Sequence, residues 1–350
     1  MYKTIALFNH KGGVSKTTTT FNLGWMLAEK GHRVVMIDTD PQCNLSSLVL
    51  DFDSSKEFDS FYKAHPNVNI KAALAPAFES QPKPIETVEC VEVKGRNGLF
   101  LVPGHLNLSE YEVTLGIAQE LSGSLQALKN LPGAFHFFIE KVAEAQKANY
   151  VLIDMSPSLG AMNQNFLMSS DCFLVPTAPD YFNVMAIDSL AAVLPKWIEW
   201  AKKAAEAEPL KTANYPFPKF SLKFLGTVIQ RYRPRKGRPA AGFQSWINQI
   251  KSRVTGHLAP ALEKHGATFL PATYKAAQVD ATTGYCLAEI ADFNSLITAS
   301  QNNQMPIFAL TKEMLGHVGV VLEQDIEKRN DFKNTFTVLA DRIIALAKHA

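Results

Sequence analysis

Asn9-His10-Lys11-Gly12-Gly13-Val14-Ser15-Lys16-Thr17-Thr18 decides the fold. An apolar run, Thr4-Ile5-Ala6-Leu7-Phe8, precedes it and reads as a buried strand. Phe21-Asn22-Leu23-Gly24-Trp25-Met26-Leu27-Ala28 follows with a helical pattern that ends near Gly31. A strand, a glycine-rich turn and a helix N-terminus together make a phosphate cradle. Its backbone N–H groups converge, and the helix dipole adds positive potential. Lys16 would reach the β- and γ-phosphates, and the Thr17 hydroxyl would hold Mg²⁺.

The common spacing G-x-x-x-x-G-K-[ST] fails at its first glycine, where His10 stands. What remains is Lys11-Gly12-Gly13-x-x-Lys16-Thr17-Thr18. This resembles the deviant Walker A motif of the ParA/MinD family of ATPases. The resemblance implies ATP with Mg²⁺, bound along Gly12, Gly13, Val14, Ser15, Lys16, Thr17 and Thr18. It also implies that Lys11 crosses to the phosphates of a second subunit in a nucleotide-sandwich homodimer.

Further along, Arg33-Val34-Val35-Met36-Ile37 reads as a second buried strand, running into Asp38-Thr39-Asp40-Pro41-Gln42-Cys43-Asn44. Acids at the C-terminal end of a parallel strand face the ligand crevice of a doubly wound sheet. The stretch is similar to the family's Asp-x-Asp-Pro-Gln-Gly-Asn element. By that likeness Asp38 sits in the Mg²⁺ shell and Asp40 orients the attacking water. Cys43 departs from it, standing where the family carries glycine. Tyr150-Val151-Leu152-Ile153-Asp154 has the Walker B form, four apolar residues ending in an acid, with Asp154 as a water-mediated Mg²⁺ ligand. Met155 to Gly160 resembles the family's Asp-x-Pro-Pro-Ser-Leu-Gly, with Ser156 replacing the first proline.

Cys172-Phe173-Leu174-Val175-Pro176 is a further strand, and a helix follows Asp180 to about Glu206. Asp180 reads equally as a dimer contact or as a helix N-terminal acid. Phe224 to Ile229 is the last clear core strand, and Ala267 to Pro271 has the look of a short edge strand. By the resemblance, Gln230 reads adenine and Pro306, in Gln304-Met305-Pro306-Ile307-Phe308, flanks the base.

The span from Pro209 to Leu262 contains no Asp or Glu. It holds Arg231, Arg233, Arg235, Lys236, Arg238, Lys251 and Arg253, so a net charge of +2 hides a basic belt. Such a belt is either a solvated face or a surface for DNA phosphates, with no base-reading pattern.

Composition closes off other classes. The 350 residues, 47% hydrophobic, can bury a large core. No apolar run reaches membrane-spanning length. Cys43, Cys90, Cys172 and Cys286 are scattered, with no Cys-x-x-Cys, which favours a reduced, cytoplasmic protein and argues against a shared iron–sulfur cluster. The last tyrosine is Tyr285, so there is no C-terminal tyrosine cluster of the related kinases. His105, His136 and His257 lack ligand spacing. Asp331 to Ala350 reads as a helix with Phe332, Phe336, Leu339, Ile343 and Leu346 on one stripe, mixed in charge and suited to docking on the core.

These readings predict a single α/β domain over 1–350, with a doubly wound, mostly parallel sheet, helices on both faces, and excursions at about 51–94 and 272–303. No helix-turn-helix segment precedes the cradle, so the resemblance is to short ParA proteins. It implies a nucleoid-associated ATPase of weak basal activity that dimerises on ATP and binds DNA without sequence preference. A cargo adaptor or centromere-binding protein would stimulate its hydrolysis. A MinD-like, membrane-associated positioning ATPase is the alternative.

Overall fold

The computed structural model describes residues 2–52, 54–121, 128–235 and 238–350. Its centre is an eight-stranded sheet in the order β10-β7-β6-β1-β5-β2-β4-β3. The strands are β1 (Lys3–Leu7), β2 (Val34–Asp38), β3 (Val91–Glu92), β4 (Leu99–Val102), β5 (Tyr150–Asp154), β6 (Cys172–Thr177), β7 (Lys223–Tyr232) and β10 (Cys286–Ala291). All neighbours pair in parallel except the edge strand β3, which runs antiparallel to β4. A separate two-stranded ribbon joins β8 (Pro234–Arg235) to β9 (Arg238–Pro239).

The inner strands read as unbroken apolar runs because helices cover both faces. Successive residues serve opposite layers. Ala6, Val35 and Ile37 pack on one side with helices α4 (Ile70–Phe78), α5 (Glu110–Glu120), α6 (Leu131–Ala145), α7 (Ala161–Met168) and α8 (Tyr181–Glu206). Ile5, Leu7, Val34 and Met36 pack on the other with α1 (Lys16–Glu29), α2 (Asn44–Leu50) and the C-terminal helix Gly319–Ala347. The apolar stripe Phe332, Phe336, Leu339, Ile343 and Leu346 is buried there, so that helix docks on the core and begins twelve residues before the sequence suggests.

Two expectations change. The segment 267–271 forms no strand. Ala267 accepts one backbone bond from Phe224 (2.8 Å), and Pro271, which has no N–H to continue a ladder, opens a short helix. The edge is taken by β10, which lies inside the segment 272–303 read as an insertion. Only its pairing with β7 reveals it, because turn-forming residues flank a short run. The other excursion, 51–94, carries α3 (Ser55–Ala64), α4 and β3.

Candidate functional site

β1 lies between β5 and β6, so its C-terminal end opens where the chain departs to either side of the sheet. That switch point is where doubly wound folds collect ligands. A cleft of about 710 Å³ opens there, lined by Gly12 through Thr18, Asp40, Gln42, Asn44, Ser47, Leu48, Asp51, Phe52, Pro157, Arg231, Gln301 and Asn302. The turn has the left-handed conformation a cradle requires, with φ of 72° at Gly13 and 59° at Ser15, the residue that caps α1. Asn9 braces it, donating to the Pro176 carbonyl at 2.8 Å and accepting from the Lys11 N–H at 2.9 Å.

Lys16 is buried, and its Nζ donates to the carbonyls of Asn9 (3.1 Å) and Lys11 (3.3 Å). Burial depresses its pKa, while Asp154 and Asp40 pull it back up. Burial, then Lys16 and Lys11, hold His10 below the ordinary histidine range.

Asp38 and Asp154 face each other across the β2–β5 register. Burial pushes Asp38 up to about 6, although Ser46 donates to its Oδ2 through both hydroxyl (2.6 Å) and N–H (2.8 Å). Thus Asp38 spends its oxygens on protein donors, at the start of α2 and at Asp40 N–H (3.2 Å). Asp154 differs. Its Oδ1 accepts from the Thr20 hydroxyl at 3.2 Å, but its Oδ2 is buried with no hydrogen-bond partner. Burial and then Asp38 push its carboxyl well above the usual range, with the Thr17 hydroxyl and Lys16 opposing. A buried, unpaired carboxylate oxygen beside a threonine hydroxyl suits a hard divalent cation, so the donor set fits Mg²⁺. Asp40 stands at the cleft wall, with its Oδ1 accepting from the Gln42 N–H at 3.0 Å.

Cys43 is fully buried at φ 52°, in the left-handed region where glycine is at ease. Its sulfur sits against Gly104, where a Cβ would come within 3.1 Å of both Cys43 Sγ and Asp38 Cγ.

The cleft lining omits Gln230 and Pro306, which the sequence reading placed at the base. Gln230 is buried beneath the loop, and its Nε2 donates to the Thr19 hydroxyl (2.6 Å) and the Val14 carbonyl (3.3 Å), so it supports the cradle from below. Pro306 lies outside the lining, and Gln301, Asn302, Leu48 and Phe52 take that wall. No motif marks those four. Lys11 turns away from the cleft, its Nζ 5.0 Å from the Phe182 ring centroid, beside the exposed Tyr181, Phe182 and Met185 of α8. Asp180 caps α8, its Oδ1 accepting from Asn183 N–H at 2.8 Å, which is the helix-terminal reading.

The basic belt is acid-free in sequence but not in space. Lys251 pairs with Glu289 of β10 at 2.6 Å, and Arg253 with Asp188 of α8 at 3.6 Å. Arg231 donates to the Gly13 carbonyl at 2.7 Å and belongs to the cleft. Arg233 is exposed, Arg235 and Arg238 pair through their backbones in the ribbon, and Lys236 lies outside the described residues. Among the described residues no cluster of His, Cys, Asp and Glu could hold a metal by itself, and no helix is long and apolar enough to cross a membrane.

Residues 2–206 match the family model described as an AAA domain. The chain is 33% identical to an uncharacterized protein of Methanocaldococcus jannaschii, over 71% of this chain and 78% of that one. It is 29% identical to the chromosome partitioning protein ParA of Caulobacter vibrioides, over 55% of this chain and 62% of that one. The fold is similar to that of apo McdA from Cyanothece (TM-score 0.55, 16% identity), covering 95% of this chain and 99% of that one.

Proposed function

From the premise that the chain belongs to the AAA-domain family of ParA-like ATPases, we propose that it is a partitioning or positioning ATPase driven by ATP and Mg²⁺. The carrying observation is the convergence of a glycine cradle, Lys16, Thr17 and Asp40 on one cleft, with the unpaired Asp154 Oδ2 buried behind it. When bound, Mg²⁺ would neutralise phosphate charge. Thr17 and Asp154 would hold it, and Asp38 would keep the start of α2 in place through Ser46. Lys16 would exchange its two carbonyl acceptors for phosphate oxygens, and Asp40 would orient water.

The Lys11 ammonium, outside the cleft and among exposed aromatic side chains, supports assembly of a homodimer across this face. DNA binding contracts to Arg233 and the ribbon residues Arg235 and Arg238, since Lys251 and Arg253 already have acidic partners. A cargo adaptor acting on the ATP-bound dimer completes the reading. Lys16→Ala should abolish nucleotide binding. Asp40→Ala should retain it and lose on the order of 10²-fold in hydrolysis. Equal turnover in wild type and Asp40→Ala would overturn this assignment.

A further inference from the structure

Arg231 has a geometry that neither a DNA contact nor an ordinary strand residue requires. On the β10 side, Ile290 pairs with Gln230 and Ala291 with Tyr232, so Arg231 is the extra residue of a β-bulge. Its φ is 64°, a conformation that favours glycine. Bulges of this kind re-aim a side chain, and here the re-aimed side chain leaves the sheet for the cradle. Its Nη1 donates to the Gly13 carbonyl at 2.7 Å. The guanidinium lies directly over Gly13: a Cβ there would stand in ordinary van der Waals contact with that nitrogen, 3.7 Å away. Arg231 makes no ion pair among the described residues, although Lys251 and Arg253 of the same belt do. It lines both the nucleotide cleft and the adjoining 390 Å³ cleft that holds Lys11 and Asp180.

We propose that Arg231 is a second phosphate-binding cation of the nucleotide site, acting from the same subunit and resting on the Gly13 carbonyl until a polyphosphate replaces that neutral acceptor. The proposal rests on the nucleotide reading of the cleft. A planar guanidinium, permanently charged, grips phosphate oxygens more strongly than an amide carbonyl. The movement needed is small because donor and cradle are already in contact. The bulge holds the backbone while the side chain exchanges partners.

Three variants separate charge from bracing. Arg231→Gln keeps a donor for the Gly13 carbonyl but has no charge. Arg231→Lys keeps charge without the fork. Arg231→Ala removes both. The measurement is equilibrium binding of fluorescent ATP and ADP analogues at two salt concentrations, with thermal unfolding of the nucleotide-free variants as a check on folding. Arg231→Gln should weaken triphosphate affinity at least tenfold and flatten its salt dependence. Arg231→Lys should recover most of it. Wild-type affinity in folded Arg231→Gln would overturn the proposal and leave Arg231 as a brace. Failure of the wild type to bind either nucleotide would instead remove the reading of the cleft itself.

Discussion

At the scale of single residues, the site concentrates groups whose charged forms dislike their surroundings. Asp38 and Asp154 are fully buried carboxyls with raised pKa values, Asp38 near 6. In the folded chain they bind protons that the unfolded chain has already released above about pH 4. Stability of the ligand-free protein should therefore fall as pH rises through that window, from about 4 to above 6. Asp154→Asn removes one such group. It should raise the unfolding temperature of the ligand-free protein at pH 7.5, by on the order of 1–3 kcal/mol of stability, while abolishing the Mg²⁺ dependence of nucleotide binding. Thermal scans from pH 5 to 8, with and without Mg²⁺, check both. A wild-type stability that climbs across this range would contradict the argument. Gly104→Ala offers a steric test of the same pocket. The new methyl meets Asp38 and Cys43 at 3.1 Å, and overpacking there should cost about 1–3 kcal/mol. Denaturant titration measures it.

Elements then decide what each residue can reach. α1 was legible from its glycine turn and apolar run, and β2 and β5 from apolar runs ending in acids, because a strand buried on both faces is written as uninterrupted hydrophobic sequence. β10 was not legible. Its six residues include Glu289, which stays on the sheet by pairing with Lys251, a partner 38 positions away. The C-terminal helix shows how much one element contributes: Phe336 is fully buried against the sheet and against Phe293 and Phe308. Phe336→Ala should destabilise by about 3–5 kcal/mol without altering any residue of the cleft. Equal unfolding midpoints would show that the helix does not dock in solution.

For the whole molecule, the question is what the exposed face around Lys11 meets. Lys11→Ala should still bind ATP but stay monomeric, and light scattering with ATP checks this. An ATP-dependent dimer in that variant would refute a cross-subunit role. DNA affinity should be independent of sequence and weaken steeply with salt. Changing Arg233, Arg235 and Arg238 together to Glu should abolish it, whereas Lys251→Ala with Arg253→Ala should change it little, since those cations already have acidic partners. A mobility-shift series in the presence of ATP distinguishes the two surfaces.

Local order determined the larger part of this protein. The spacing Lys11-Gly12-Gly13-Val14-Ser15-Lys16-Thr17, the apolar runs and the acids that close them establish a parallel sheet with a phosphate cradle. Their physical causes act between residues close in sequence: backbone N–H direction, helix dipole and strand burial. Tertiary structure alone decided the partners. It turned Gln230 inward beneath the loop, moved Arg231 from the basic belt to the cleft, brought Asp188 and Glu289 to Arg253 and Lys251, and set Gln301 and Asn302 at the cleft wall. Charge neutralisation and hydrogen-bond satisfaction depend on distance in space. A span free of acids in sequence can therefore meet them once the chain has folded.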